Sequence, residues 1–376
     1  MNALGADDLT ALRDTIARFV RERVVPHLVE WDEAGTFPRS LYEEAAAAGI
    51  LQVGLPEEYG GFGHWAYRAI VFHEFGRAAA GGVWASLATV TIGAPPIALY
   101  GSQDLKQRVL PDVLAGRRII ALGVTEPGGG SDVAALRTTA RRDGDHYVVN
   151  GAKTFITSGI RADWVTTAVR TGGRGQRGVS LLVIPTRTPG FSATPLKKMG
   201  WWPSDTATLH FDDCRVPVGN LVGRENEGLK LIFENFNGER LNIGAGALGA
   251  AECCLADAVA YARERSTFGR RLIEHQVIRH KLVDMAMNIN GCRAVLDVLL
   301  DRLVAGESPV AEICMFKNQA TLCMEHCARE AVQIFGGAGF MRGVNVERIY
   351  REVRVNAIGG GAEEIMRDLA AKQMGW

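Results

Sequence analysis

Between Ile119 and Val222 the chain stops spacing its apolar residues at three and four and breaks into short β-branched runs separated by turn residues. On both sides of that stretch it reads as helix. Upstream, Leu12, Ile16, Phe19 and Val20 recur at helical spacing, with Asp7 or Asp8 available as a cap. Inside the stretch, HYVVNGAKTFITSG carries an Asn150-Gly151 pair that predicts a hairpin turn, and WVTTAVR, VSLLVIP and TATLHF predict further strands. Downstream come three long helical segments, beginning at about Glu225, within EHQVIRHKLVDMAMNINGCRAVLDVLLDRLV, and within VAEICMFKNQATLCMEHCAREAVQIF. Helices, then a compact set of strands, then helices exclude both an alternating α/β fold and an all-β one. The expected fold is mainly α with a β domain: an N-terminal helical domain over 1–118, a middle antiparallel β domain over 119–224 and a C-terminal helical bundle over 225–376.

Charge narrows the function classes. Lys+Arg and Asp+Glu both number 42, so no excess of either sign points to nucleic acid or an anionic membrane. The opening MNALGADDLTALRD lacks the basic-then-apolar pattern of a secretion signal, and the seven cysteines follow no disulfide spacing; a cytoplasmic protein with free thiols is expected. Cys323, His326 and Cys327 lie at helical spacing, but three such residues on one turn with no fourth in sight read as core, so no metal is expected. HExxH, Walker and GxSxG motifs are absent, as is the strand-glycine-helix fingerprint of a nicotinamide enzyme.

Glycine and one carboxylate carry the remaining signal. GVTEPGGGSD (Gly123 to Asp132), QIFGGAGF (Gln333 to Phe340) and IGGGAEEIM (Ile358 to Met366) are glycine-rich turns whose bare backbone suits convergence of N–H groups on an extended, phosphate-bearing ligand. In LIFENFNGERLNIG, Glu239 falls on the same helical stripe as Ile232, Phe236 and Ile243. A carboxylate on such a stripe is exposed at a bend, paired with a neighbour such as Arg240, or placed for chemistry. Glu363 and Glu364, in a first helical turn, read as dipole partners.

GVTEPGGGSD, NGAKTFITSG, ERSTFGRRLIEHQ and QIFGGAGFMRGVNVERIYREVR, in that order and with VGLPEEYGGFG upstream, resemble the acyl-CoA dehydrogenase family of flavoproteins over nearly the whole chain. The resemblance implies that family's architecture, with a four-helix bundle at the C-terminus, an FAD cofactor and an acyl-CoA substrate oxidised to its trans-2-enoyl thioester. It places Leu122, Val124, Thr125, Gly130, Ser131, Phe155 and Thr157 along the flavin, with Ser131 also facing the thioester. Arg265, Phe268, Gln276, Gln333, Gly336 and Gly337 are placed on the adenosine and pyrophosphate side of a neighbouring subunit's FAD, which implies a homo-oligomer, a tetramer built as a dimer of dimers. Asn237, Arg240 and Gly361 are implied at the substrate.

Many relatives carry the catalytic Glu in the loop where this chain has Gly360; the isovaleryl-CoA and long-chain subgroups carry it on the bundle helix before an arginine, as Glu239-Arg240 does here. The resemblance therefore implies Glu239 as the base for the α-proton, hydride passing to flavin N5, and the Gly360 N–H as a donor to the thioester carbonyl. Ala362 departs from a threonine common in the family. The resemblance also implies an electron-transfer flavoprotein as acceptor. A carrier-protein thioester, or a flavin oxidase or monooxygenase on the same fold, stays open beside the dehydrogenase. The acyl pocket is expected at Ala85, Leu87, Thr89 and Thr91, with Trp84 either blocking it or belonging to the core.

Overall fold

The computed structural model describes residues 4–376. Helices α1 (Ala6–Phe19), α2 (Leu28–Ala34), α3 (Ser40–Ala47), α4 (Arg68–Arg77), α5 (Gly81–Leu87), α6 (Val90–Gly93), α7 (Pro95–Tyr100) and α8 (Gln103–Leu114) form the first layer. The strands follow: β1 (Ile120–Gly123), β2 (Thr139–Asp143), β3 (His146–Thr157), β4 (Trp164–Arg170), β5 (Val179–Pro185), β6 (Phe191–Pro195), β7 (Thr206–Pro217) and β8 (Leu221–Val222). They make one sheet in the order β6-β7-β3-β2-β4-β5-β8, with β1 beside β4. The pairing is antiparallel except where β1 runs parallel to β4 and β2 meets β4 at a single parallel pair. The third layer holds α9 (Gly228–Glu264), α10 (Gln276–Val304), α11 (Val310–Phe335), α12 (Asn345–Ile358) and α13 (Glu363–Met374), with a short hairpin of β9 (Ser266–Thr267) and β10 (Arg270–Arg271) between α9 and α10.

One expectation is corrected. Asn150-Gly151 is not a turn: β3 runs straight through it, and the chain reverses at Gly144 and Asp145 instead, where Asp143 pairs with His146. Asn150 is held in the strand by Asp213, whose N–H donates to Asn150 Oδ1 at 2.9 Å while the Asn150 amide donates to Asp213 Oδ1 at 2.9 Å. Gly151 marks a register shift against β7, with φ +140° and no room for a Cβ against Thr138. A bulge has replaced the hairpin that the dipeptide suggests in isolation.

The long helix α9 organises the bundle. Its small residues let α4 approach closely: a Cβ on Gly249 would stand 2.9 Å from the Arg77 nitrogen, and one on Gly76 would stand 3.0 Å from the Ala250 nitrogen. By length and composition α9 is apolar enough to cross a membrane, but its apolar residues are buried against α4, α10, α11 and α12. Its N-terminal third reaches the other two layers. Asn235 donates to the Ile92 carbonyl at 2.9 Å beside α6, and the neighbouring Gly93 carbonyl accepts from Thr166 of β4 at 2.8 Å. The three layers therefore converge on the stretch of α9 that contains Glu239.

Candidate active site

Glu239 sits on α9 facing the loop that follows α12. A Cβ on Gly360 would lie 3.9 Å from Glu239 Cγ, 3.9 Å from Arg240 Cγ and 2.8 Å from Ile243 Cδ1. Gly360 also has φ +66°, so the backbone conformation favours glycine there, while a Cβ would crowd only the mobile end of Ile243. Arg240 is not the partner of Glu239. It is buried at 5% exposure and turns away, Nε donating to the Gly360 carbonyl at 3.2 Å and a terminal nitrogen to Asn237 Oδ1 at 2.9 Å. Glu239 is half-buried and makes no hydrogen bond or ion pair among the described residues; desolvation pushes its carboxyl up to about 7 against the opposing pull of Arg240 and Lys317.

Lys317, which sequence reading missed, fixes the loop from the other side. Its ammonium is fully buried on α11 and donates to the Ala357 carbonyl at 2.8 Å and the Gly361 carbonyl at 2.9 Å. Burial lowers it to about 8. Asn318 adds a bond from its amide to the Glu363 carbonyl at 2.9 Å. The signal was available: Lys317 follows Ile313 and Phe316 on a buried stripe, where an unpaired cation is rare. The Gly360 N–H, by contrast, makes no backbone hydrogen bond among the described residues. The result is a fixed glycine loop with one free donor beside one unpaired carboxyl.

The β1 end of the sheet presents a second group of predicted residues. Leu122, Val124 and Thr125 leave β1 toward an exposed turn over Pro127 to Ser131, which includes Gly130. A buried ion pair anchors the turn: Lys153 Nζ donates to Glu126 Oε1 at 2.8 Å and to the Val124 carbonyl at 3.1 Å. Glu126 also accepts the N–H groups of Arg137 at 2.6 Å and Thr138 at 2.8 Å. The Thr154 N–H donates to the Thr125 carbonyl at 2.9 Å, tying the turn to β3. There a register shift between Lys153 and Ile156, with Phe155 at φ +60°, throws the Phe155 ring outward to 70% exposure beside the half-buried Thr157.

Arg265, Phe268, Gln276, Gln333, Gly336 and Gly337 form a third group, all exposed, where the end of α9, the β9-β10 hairpin, the start of α10 and the end of α11 meet. The stacking of Tyr261 on Phe335, centroids 4.2 Å apart, joins the ends of α9 and α11. Phe268, at the hairpin tip, is 98% exposed. At 1.5 Å per residue, Arg265 stands about 39 Å along α9 from Glu239. Within one chain the third group therefore stands far along α9 from Glu239.

The donor set fits a flavin dinucleotide in two halves. Hydroxyls of Thr125 and Thr157 with the Phe155 ring suit the edge and face of a heteroaromatic ring, and the Arg265 guanidinium with the bare turn at Gly336 and Gly337 suits a pyrophosphate. A Cβ on Gly128, Gly129, Gly336 or Gly337 would meet nothing within 4 Å, so both turns front open space in which a ligand can lie.

A largely apolar pocket lies between α4, α5, α9 and α12, and Ile243, which a Cβ on Gly360 would crowd, is one of its walls. Phe72, Phe75, Trp84, Ala85, Ile243, Met324 and Glu352 are among its walls. Trp84 belongs to pocket and core alike, stacked on Phe75 at 4.5 Å and edge-on to Phe72 at 5.2 Å. Leu87, Thr89 and Thr91 are buried elsewhere, with the two threonine hydroxyls bonded to the carbonyls of Ser86 and Ala88. Of Ala85, Leu87, Thr89 and Thr91, Ala85 alone lines this pocket.

Three family models match the chain: "Acyl-CoA dehydrogenase, N-terminal domain" over residues 6–117, the middle domain over 121–214 and the C-terminal domain over 226–375. "Acyl-CoA dehydrogenase apdG" of Emericella nidulans is 36% identical, across 95% of this chain and 88% of its own length. A crystal structure from Mycobacterium smegmatis superposes with a TM-score of 0.96 at 47% identity, covering 99% of this chain and 98% of that one. A glutaryl-CoA dehydrogenase of Mycobacterium smegmatis in complex with FADH2 superposes with a TM-score of 0.91 at 29% identity, covering 99% of this chain and 96% of that one.

Proposed function

The chain belongs to the acyl-CoA dehydrogenase family of FAD-dependent oxidoreductases, and from that premise we propose that it removes the α-proton of an acyl-CoA thioester with Glu239 as base. The observation that carries this is the unpaired Glu239 carboxyl beside Gly360. FAD, held by the Thr125 turn, Phe155 and Thr157 of one chain and by Arg265, Gln333 and the Gly336 turn of a second, supplies the two-electron acceptor. Everything else falls to side chains and backbone of the protein.

Glu239 holds the proton-accepting oxygen, and Arg240 supplies no competing ion pair because its donors are directed to Gly360 and Asn237. The Gly360 N–H, free of a backbone acceptor among the described residues, donates to the thioester oxygen and stabilises the charge that gathers there as the α-proton leaves. Lys317 keeps that donor in place without entering the site. Entry of an acyl chain into the apolar pocket excludes water and raises the driving force for proton transfer to the carboxylate. An electron-transfer flavoprotein is the proposed acceptor, and a homotetramer the proposed assembly.

Anaerobic mixing with acyl-CoAs tests the reading directly. The yellow flavin bleaches with a saturated thioester, whereas Glu239→Gln retains FAD and loses bleaching by at least about 100-fold, the usual scale of an acid-base group. Bleaching of that variant at the normal rate sinks the assignment of the base; rapid oxygen consumption by the reduced protein favours an oxidase instead.

A further inference from the structure

The pocket beyond Glu239 does not end in hydrocarbon. Among its walls are Glu352 and Asn356 of α12, together with Trp84 of α5. Among the described residues, Glu352 is 2% exposed and its Oε1 has no hydrogen-bond partner; Trp84 is 4% exposed and its indole Nε1 has none either. Space is left for the carboxyl by Gly81, where a Cβ would stand 2.7 Å from Glu352 Oε2. An unpaired buried acid and an unpaired buried indole N–H among the walls of one largely apolar pocket are costly unless something completes them.

The cations nearby do not complete them. Arg351 donates to Asp32 Oδ2 at 2.5 Å and pairs with Glu347. Arg348 donates to Asn345 Oδ1 at 3.1 Å and to the Ala79 carbonyl at 3.4 Å. Lys198 donates to the Trp201 carbonyl at 2.7 Å and to that of Ser204. No salt bridge reaches Glu352 among the described residues, and burial, against the pull of Arg348, pushes its carboxyl up to about 8. A neutral acid both donates and accepts, and the indole only donates.

We propose that the acyl group taken by this enzyme carries a neutral oxygen, a hydroxyl or a carbonyl, on the part of the chain remote from the thioester, and that Glu352 and Trp84 read it. A hydroxyl oxygen accepts from Trp84 Nε1 and donates to Glu352; a carbonyl oxygen accepts from both. A plain alkyl tail would leave both polar atoms unpaired. Glu352 stands about 9 Å along α12 from its end at Ile358, two residues before Gly360. An extended acyl chain of roughly eight to ten carbons covers that distance.

This inference rests on the dehydrogenase reading, and the test separates the two. Flavin bleaching is measured with straight acyl-CoAs and with their terminally hydroxylated counterparts of equal length, and equilibrium binding of the same pairs is measured on Glu239→Gln. The wild type favours the hydroxylated member by about 10-fold or more in kcat/KM at the matching length, as expected for a pocket built to bond a hydroxyl, and binding shows the same order. Glu352→Leu removes the preference. Trp84→Phe, which keeps the ring and the fold, reduces it, and decides the matter if the Leu variant is unstable. Equal rates for the two series in the wild type, or a preference unchanged in both variants, overturns the proposal while leaving the dehydrogenase intact. Failure of both series to bleach an FAD-loaded protein overturns the dehydrogenase reading and this inference with it.

Discussion

Ionised Glu239 is the form that accepts a proton, and desolvation holds its carboxyl up to about 7. A raised folded-state value means that the neutral acid predominates below that pH and the base appears only above it. The ratio kcat/KM, which reports groups of the free enzyme, is therefore expected to rise with pH through an apparent pKa near 7, and that rising limb is expected to be lost in Glu239→Gln. A stopped-flow pH series from acid to neutral checks it; a limb in the ordinary carboxylate range would assign the base to an exposed acid instead. The place of Glu239 on an apolar helical stripe left three readings open, and the geometry of Arg240, whose donors go to Gly360 and Asn237, removes the paired one. Glu352 was not legible. It neighbours Arg351 in a run rich in charge, and nothing local shows that the cations around it bond elsewhere.

At the scale of elements, the glycine loop after α12 has little secondary structure of its own and takes its shape from α9 and α11. Lys317 satisfies two of its carbonyls at once. Replacing it by Met leaves both acceptors without that donor, at a cost of about 2 kcal/mol in stability by the usual penalty for unmade buried hydrogen bonds. Because Gly360 then loses its fixed position, Lys317→Met is also expected to lower kcat by at least about 10-fold with FAD still bound. Urea unfolding followed by flavin fluorescence and steady-state assays read the two effects; unchanged kcat at reduced stability would confine Lys317 to the fold. The helix-sheet-helix order was legible because long periodic segments carry their signal locally. The bulge at Gly151 was not, because a cross-strand pair with Asp213 and the close approach of Thr138 override the turn preference of Asn-Gly. Lys153 and Glu126 escaped for the same reason: they are 27 residues apart in sequence and joined only by the fold.

For the whole molecule the decisive quantity is the length of α9. Glu239 and Arg265 lie about 39 Å apart along its axis, and Phe268 stands almost fully in the open at the far end. An aromatic ring that exposed, next to an exposed arginine and a bare glycine turn, has the composition of a surface that a second chain covers. If each flavin is held between two copies, then Glu239→Gln and Arg265→Ala damage different halves of every site. Expressed alone, both variants are expected to be inactive, the first retaining FAD and the second losing it. Coexpressed in equal amounts and paired at random, half of the dimers are mixed, and one of the two sites in each mixed dimer carries an intact Glu239 from one copy with an intact Arg265 from the other. Roughly one quarter of the wild-type activity should therefore return. A site built within one chain gives no recovery, because every chain then carries one of the two lesions. Measuring dehydrogenation against total protein in the mixture thus distinguishes a shared site from a private one without any knowledge of the natural acyl group.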